Sequence, residues 1–217
     1  MKRFINTLKN IWAIKELRNR ILYTLLLLLV FRVGSFIVLP GVASGVLTDV
    51  ANSRSANDLL GLINIFTGGA FNQASIMALG IMPYITASII IQVLGFAVPY
   101  FQRLQQKEGE SGRKKLNQIT RVLTVAITLV QGGAYLTYLK GIGAISPQVS
   151  LAIFWGANIL ILTTGTIFAM WLGEKITDKG IGNGVSILIM VGILSRLPQA
   201  LGFEFTAQMA SGGLIMF

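Results

Sequence analysis

Apolar stretches about as long as a lipid bilayer is thick recur five times along this chain, and no other feature constrains its fold as strongly. A bilayer core about 30 Å thick is crossed by about 20 mostly apolar helical residues. Charged residues make up only 12% of the 217 residues, too few to cover a water-soluble domain. The sequence therefore predicts an all-α, polytopic transmembrane helix bundle. The predicted spans are residues 21–39, 74–98, 119–139, 149–172 and 181–197.

The composition also removes most catalytic and metal-binding chemistry. The chain has no cysteine and no histidine, and its predicted spans contain no aspartate or glutamate. An enzyme active inside the membrane needs a nucleophile and a base there. We therefore predict a protein that is not an enzyme and that has no catalytic site, no metal site and no cofactor.

Lysine and arginine are distributed unequally between the two sides of the predicted bundle. Fourteen flank one side, whereas only Arg54, Lys140 and Arg196 flank the other, which predicts a cytoplasmic amino terminus. A sixth apolar run begins at Leu214 and the sequence stops at Phe217, so we expect a fragment of a longer protein. The predicted organisation is a cytoplasmic segment at 1–20, a five-span unit at 21–197 with cytoplasmic loops at 102–118 and 173–180, and an external loop with the start of a sixth span at 198–217.

A short segment before the second predicted span does not fit the spanning pattern. Residues 59–71 begin with apolar side chains at helical spacing and pass through Gly68 and Gly69. A helix of this length is too short to cross a bilayer. Two interpretations remain open: a re-entrant element inserted among the spans, or an amphipathic helix on the outer surface. Asn57 or Asp58 could cap the helix in either case.

Pairs of branched apolar residues occur four apart in spans two and five. Ile81 and Ile85 share one face of a helix, as do Val185 and Ile189. Ordinary helix packing explains this spacing, and so does a narrow apolar constriction that closes a pore by dewetting. Pro83 lies within the first pair and predicts a kink.

Few polar side chains lie inside the spans. Arg32 is the only charge well within one, and we expect it to anchor the first span to its neighbours. Thr86, Ser88 and Gln92 could bond to an adjacent helix. The polar segment 102–117 is either a solvated loop or a docking surface for an acidic cytoplasmic partner or RNA.

The segment before the fifth span combines charge with glycine. Glu174 and Asp178 lie four apart beside two lysines, a pattern typical of a helix end with ion pairs along its own surface. Three glycines within residues 180–184 then predict a tight turn rather than a helix interior.

Motifs along nearly the whole chain resemble the SecY family of protein-conducting channel subunits, and they follow the family's order. The motifs are FRVGSF at 31–36, PG at 40–41, NIFTGGA at 64–70, ALGIMPYITASIIIQ at 78–92, KEGESGR at 107–113, WLGE at 171–174 and GIGNG at 180–184.

The resemblance implies ten spans in two inverted five-span halves around a pore, with this chain as the amino-terminal half. Val185 stands where isoleucine is commoner, which implies a slightly wider pore ring. The implied ring residues are Ile81, Ile85, Val185 and Ile189. The implied plug, a short helix that fills the outer funnel of the idle channel, includes Leu59, Leu62, Ile63, Asn64, Ile65, Phe66, Thr67, Gly68 and Gly69.

The implied function is passage of unfolded polypeptides across the bacterial plasma membrane, with membrane segments released sideways into lipid. The implied partners are translocating polypeptides and their signal sequences, membrane lipid, SecE, SecG, and the SecA motor or the ribosome, without direct recognition of nucleic acid. Candidates for the lateral gate are Thr86, Ser88 and Gln92. Candidates for docking of cytoplasmic partners are Lys107, Arg113, Lys114 and Lys115.

An alternative function is half of a secondary transporter built from inverted repeats. Such carriers usually place ionisable groups near the bilayer midplane to bind coupling ions. Arg32 is the only candidate for such a group in this chain, which argues against coupling to protons or sodium.

Overall fold

The computed structural model describes residues 12–43, 45–47, 59–106, 109–198, 201–202 and 205–206. This part of the chain is helical and contains no strand, only isolated β-bridges that pair Val38 with Ser75 and Val42 with Ile145. The all-α prediction is therefore confirmed. The main helices are α1 (Lys15–Gly34), α2 (Leu59–Phe66), α3 (Met82–Ala97), α4 (Pro99–Gln106), α5 (Gly109–Gly141), α6 (Leu151–Lys179) and α7 (Gly184–Leu194).

Two of these helices are long and apolar enough to cross a bilayer, α5 with 33 residues and α6 with 29. The pair α3 and α4, bent by 101° at their junction, would add a third span if both belong to one crossing. Helix α1 has 20 residues, but several of them are charged at its start and Arg32 lies in its last turn. The count of five spans within residues 21–197 stays a prediction.

The second predicted span is helical only in its later part. Turns occupy most of residues 67–81, and α3 begins at Met82. Pro83 lies in the first turn of α3, where its missing N–H leaves no intrahelical hydrogen bond unmade. The predicted kink is therefore wrong, because the proline starts the helix instead of interrupting it. Gly80, with a φ of +53°, makes the preceding turn in a conformation that favours glycine.

The connections predicted as polar loops are largely helical. Helix α4 and the start of α5 occupy most of residues 102–118, and residues 173–179 are the end of α6. Leu104 anchors α4 because its side chain is 1% exposed. Gly95 of α3 also leaves room for the end of the Gln105 side chain, which would have to move if a larger residue stood there.

Two clusters of buried apolar side chains hold the helices together, and the turns at 67–81 belong to both. The first cluster joins this segment to the end of α5 and the start of α6, and includes Phe71, Leu79, Tyr135, Leu139 and Phe154. The second joins it to α1, α6 and α7, and includes Leu27, Phe31, Met77, Ile81, Leu172 and Leu188.

The buried face of α5 carries a row of threonines. Thr120, Thr124 and Thr128 are almost fully buried. Each hydroxyl donates to the carbonyl four residues earlier, at 2.9, 2.7 and 2.7 Å respectively. Because lipid offers no hydrogen-bond partner, these internal bonds allow close packing without an unpaired hydroxyl.

An ion pair joins α5 to α6. Arg121 donates from Nη2 to Glu174 Oε2 at 2.7 Å and from Nε to Oε1 at 3.1 Å. The sequence predicts ion pairs along the end of α6 itself, but Glu174 pairs across to the neighbouring helix. Lys175 instead lies over the ring of Trp171, 6.0 Å from its centre.

We expect Glu174→Gln to lower the free energy of unfolding by about 1 kcal/mol, because the pair is bidentate but partly screened by solvent. A double-mutant cycle with Arg121→Gln measures the coupling, which should shrink at high salt. Asp178→Asn, one turn later on α6 and exposed, is the control. If Glu174→Gln and Asp178→Asn lower the free energy of unfolding equally, the ion pair between Arg121 and Glu174 does not contribute to stability as assigned.

Candidate functional site

An apolar cavity of about 280 Å³ lies where α1, α3 and α7 meet the end of α2. Thr67 carries a hydroxyl, but that hydroxyl donates to the Ile63 carbonyl at 3.1 Å within its own segment. The cavity wall is therefore suited to exclude water. The lining residues are Phe31, Phe66, Thr67, Gly80, Ile81, Met82, Ile85, Leu188 and Ile189.

Three of the four predicted pore-ring residues line this cavity. Ile81 immediately precedes α3, Ile85 follows one turn later, and Ile189 comes from α7. Val185 does not line the cavity. It lies with Ile81 beside Gly173 of α6, where an added methyl group would be 3.4 Å from Val185 and 3.3 Å from Ile81. The structure thus brings the two spaced pairs together, and their role in a pore stays a prediction.

The glycine-rich start of α7 allows this helix to lie directly against α6. Residues 180–182 form a bend, which confirms the predicted turn. A side chain at Gly184 would collide with the carbonyl oxygen of Gly173. Asn183 then caps α7, since its Oδ1 accepts the Ser186 N–H at 3.2 Å. This close approach carries the two pore-ring candidates of α7 toward α3.

The predicted plug ends in a turn that its own polar side chains hold. Asn64 is 2% exposed, and its Oδ1 accepts the Asn72 N–H at 3.1 Å. The Thr67 hydroxyl accepts the Phe71 N–H at 3.3 Å. These bonds stabilise the chain where α2 ends and its backbone leaves helical pairing.

This turn packs against α7 through glycine. Gly68 and Gly69 have φ values of +63° and +97°. A methyl group on Gly68 would lie 3.0 Å from the Cα of Gly192 in α7. The contact favours insertion among the helices over a position on the outer surface. The side chains of Leu59 and Leu62, and the candidate caps Asn57 and Asp58, lie outside the described residues.

Arg32, near the carboxyl end of α1, contacts the Gly68–Gly69 turn. Its Nη1 donates to the Gly68 carbonyl at 2.8 Å, and its guanidinium carbon lies 5.0 Å from the centre of the Phe36 ring. The sequence predicts an anchor between the first span and its neighbours. The structure instead shows a bond from α1 to the segment between α2 and α3.

Two further residues touch this segment, and no sequence pattern indicates them. Tyr135 of α5 donates to the Phe71 carbonyl at 2.7 Å. Arg196, just beyond α7, lies against Gly69. In the sequence, Tyr135 is one of many residues of a long apolar stretch, and Arg196 is one of the few cations at the predicted outer side. Contacts between residues so far apart in the chain leave no local spacing to detect.

The candidate gate residues are paired within α3. The Thr86 hydroxyl donates to the Met82 carbonyl at 3.1 Å. The Gln92 side-chain amide donates to the Ser88 hydroxyl at 3.2 Å. These recorded bonds run along α3 and not to a neighbouring helix, and the Gln92 amide keeps a second N–H and an oxygen with which it can bind another group.

Three of the four candidate docking residues lie at the start of α5. Arg113, Lys114 and Lys115 are exposed there, and Lys114 pairs with Glu110 of the same helix at 3.0 Å. Lys107 lies outside the described residues. These cations form a basic surface, whereas their binding of a partner stays a prediction.

Comparison with solved structures defines the class of this fold. The structure resembles Sec61 in the canine ribosome–channel complex from the endoplasmic reticulum, with a TM-score of 0.61 and 19% identity over 90% of this chain and 42% of that chain. A second structure, described as that of a protein-conducting channel, gives the same values. The chain therefore has the helical fold of part of these channels.

Sequence comparison then identifies the family. A model of the SecY family matches residues 75–217. The chain is 44% identical over 192 residues to the SecY translocase subunit of Buchnera aphidicola from Acyrthosiphon pisum, covering 88% of this chain and 44% of that protein. It is 41% identical over 213 residues to the subunit of Halalkalibacterium halodurans, covering 97% and 48% respectively. The chain belongs to the SecY family and spans about half the length of the curated relatives it matches.

Proposed function

We propose that this chain forms the amino-terminal half of a channel subunit through which unfolded polypeptides cross a membrane. The observation that supports this function is the apolar cavity, in which Ile81, Ile85 and Ile189 lie beside Phe66 of the predicted plug. The remaining wall of the pore would come from the part of the SecY relatives that this chain does not match.

An apolar ring suits a channel that must carry many different sequences. Branched aliphatic side chains offer a passing polypeptide no fixed hydrogen-bond partner, so passage does not depend on particular residues. When no polypeptide is present, a narrow apolar wall excludes water and therefore blocks hydrated ions. The plug, residues 59–71, adds a second barrier on the outer side.

Sideways release of membrane segments requires one wall of the pore to open toward lipid. We assign one side of this gate to α3 and α5, which pack together directly, with Thr86, Ser88 and Gln92 along α3. The hydrogen bonds recorded for these side chains stay within α3, so they do not tie α3 to the opposite side of the gate.

The proposed partners and membrane rest on the family and on the charge distribution. We propose SecE and SecG as neighbouring subunits, and the SecA motor or the ribosome as cytoplasmic partners that meet Lys107, Arg113, Lys114 and Lys115. The canine Sec61 relative is itself described in a ribosome–channel complex. The excess of lysine and arginine on one side supports a cytoplasmic amino terminus. The bacterial SecY relatives support the bacterial plasma membrane as the location of the chain.

A cysteine pair at Phe66 and Ile189, placed in the full-length channel, tests the plug. The two side chains line one cavity, and this chain contributes no cysteine of its own. We expect a short thiol cross-linker to join Phe66→Cys and Ile189→Cys in the idle channel and to fail when a translocating polypeptide is trapped in the pore. The measurement is the cross-linked fraction on a denaturing gel.

A control pair at Val38 and Ser75 reports on the rest of the segment. These residues form a β-bridge outside the predicted plug, so their cross-linking should not depend on the trapped polypeptide. Equal yields from the Phe66 and Ile189 pair with and without the polypeptide would contradict the plug.

A further inference from the structure

Two arginines from different parts of the chain converge on the Gly68–Gly69 turn. Arg32 Nη1 donates to the Gly68 carbonyl at 2.8 Å. Arg196 Nη2 would lie 2.9 Å from a methyl group placed on Gly69. Both arginines are half-buried, and they are close enough to repel each other electrostatically. The turn that ends the predicted plug is therefore enclosed by a cation from α1 and a cation from the end of α7.

No carboxylate in the described part of the chain lies near this pair. The acidic residues there are Glu16, Glu110, Glu174 and Asp178, at the starts of α1 and α5 and near the end of α6. Glu16 is more than four helical turns from Arg32, about 24 Å along the axis of α1. The polar contact that Arg32 makes with this segment is thus to a neutral peptide carbonyl.

The segment changes character at this turn. Beyond it, Phe71 and Ser75 are almost fully buried, and Tyr135 holds the Phe71 carbonyl at 2.7 Å. Before it, Phe66 is 45% exposed, whereas Asn64 and Thr67 are buried. The two glycines have positive φ values and form the joint between these parts. Asn64 and Thr67 also accept hydrogen bonds from Asn72 and Phe71 across this joint. Contacts that hold the joint therefore position the end of α2 relative to the buried segment that follows.

We propose that Arg32 and Arg196 form a latch on the Gly68–Gly69 turn, which positions the plug in the idle channel. The latch rests on the proposed function, because it assigns these side chains to the plug of that channel. A guanidinium suits this role because it stays charged at all physiological pH values and presents five donors in a rigid fork. Release of the plug requires both arginines to lose contact with the turn.

The chemistry of the latch also links its release to the presence of a substrate. The group that accepts the hydrogen bond from Arg32 is an ordinary peptide carbonyl. Phe31 and Thr67, which directly precede Arg32 and Gly68, line the cavity, so an extended polypeptide there presents unpaired carbonyls close to Arg32. Such a polypeptide can replace Gly68 on Arg32 without leaving a buried cation unpaired, which would be costly. The plug is therefore held when the pore is empty and released when it is filled.

The latch is tested in the idle full-length channel by adding Arg32→Gln or Arg196→Gln to the Phe66→Cys and Ile189→Cys pair. Arg32→Gln should lower the ratio of cross-linked to free plug roughly tenfold, the usual effect of losing a hydrogen bond from a charged group. Arg196→Gln removes a packing contact with Gly69 and should lower the ratio by a smaller factor. Arg32→Lys keeps a charge and a donor, so it should recover part of the cross-linking. Lys140→Gln removes an exposed cation on the predicted outer side and should change nothing.

The outcomes separate the latch from the plug. If the ratio of cross-linked to free plug is unchanged in both Arg32→Gln and Arg196→Gln, the latch is overturned. The cysteine pair with both arginines in place would still respond to a trapped polypeptide. A pair that never responds to the polypeptide refutes the proposed function instead. If Arg32→Gln does not assemble into a channel, Arg196→Gln alone tests the latch. Arg196 lies beyond the end of α7, so its substitution should not disturb that helix. Loss of cross-linking in Lys140→Gln as well would mark general disruption and would also overturn the latch.

Discussion

Ile85→Asn should make the idle full-length channel leak ions. Ile85 is half-buried and lines the apolar cavity one turn after Ile81, so an asparagine there places a strong hydrogen-bonding group inside the constriction. Water that bonds to the amide would remove the dewetted barrier that blocks hydrated ions. We expect the ion flux to rise at least roughly tenfold, since this corresponds to a barrier lowered by only about 1.4 kcal/mol. The measurement is chloride or potassium flux from proteoliposomes.

The matched control for this leak is Ile89→Asn. Ile89 lies one turn further along α3, is 54% exposed, and does not line the cavity. The same substitution therefore adds the same amide to the same helix without changing the constriction, and it should not increase flux. Equal leaks from the two variants would show that asparagine merely disturbs α3. Absence of a leak from Ile85→Asn would remove Ile85 from the pore ring.

The same variant should also loosen the requirement for a signal sequence. If the apolar ring helps to keep the idle channel closed, a weaker ring lowers the free energy that a signal sequence must supply to open it. Precursors with defective signal sequences should then cross more efficiently through Ile85→Asn than through Ile89→Asn. Translocation of such precursors into membrane vesicles, measured by protection from protease, provides the comparison.

Features that depend on composition and local spacing could be predicted from the sequence. The apolar runs within α5 and α6 identify both helices because each exceeds the thickness of a bilayer. The glycines at 180–184 indicate a turn because three glycines so close together do not suit a helix interior. Local patterns of this kind do not depend on what the rest of the chain does.

Features that depend on contacts between distant residues could not be predicted in the same way. In the sequence, Pro83 is compatible both with a kink inside a span and with the first turn of a helix. In the structure, a left-handed turn at Gly80 precedes the helix, and Pro83 lies in its first turn. The bonds from Arg32 to Gly68 and from Tyr135 to Phe71 join separate helices to one irregular segment. The pore-ring and plug residues came from the family resemblance, since spacing alone also fits ordinary packing.

Besides its buried side chains and hydrogen bonds, the irregular segment packs closely through its backbone against one glycine of α6. Gly165 is buried, and a methyl group there would collide with the carbonyl oxygen of Ile76. Helix α6 thus rests directly on the backbone that leads through Met77 to Ile81. Neither a backbone carbonyl nor a packed helix can move aside as a flexible side chain can.

Gly165→Ala should therefore lower the free energy of unfolding of the full-length protein by about 3 kcal/mol, near the upper end of what overpacking usually costs. Gly156→Ala on the same helix is the matched control, because a methyl group there meets nothing within 4 Å. Alanine favours helix over glycine, so this control should be neutral or stabilising by up to about 1 kcal/mol.

Denaturant titration in detergent measures both variants, and flux from proteoliposomes adds a functional readout. Relief of the collision in Gly165→Ala must shift Ile76, which lies five residues before Ile81, so the constriction should be displaced and the idle channel should leak. The control should remain closed. If Gly165→Ala is as stable and as tight as Gly156→Ala, then α6 does not support the segment through this contact, and the position of Ile81 must be set by α1 and α7 instead.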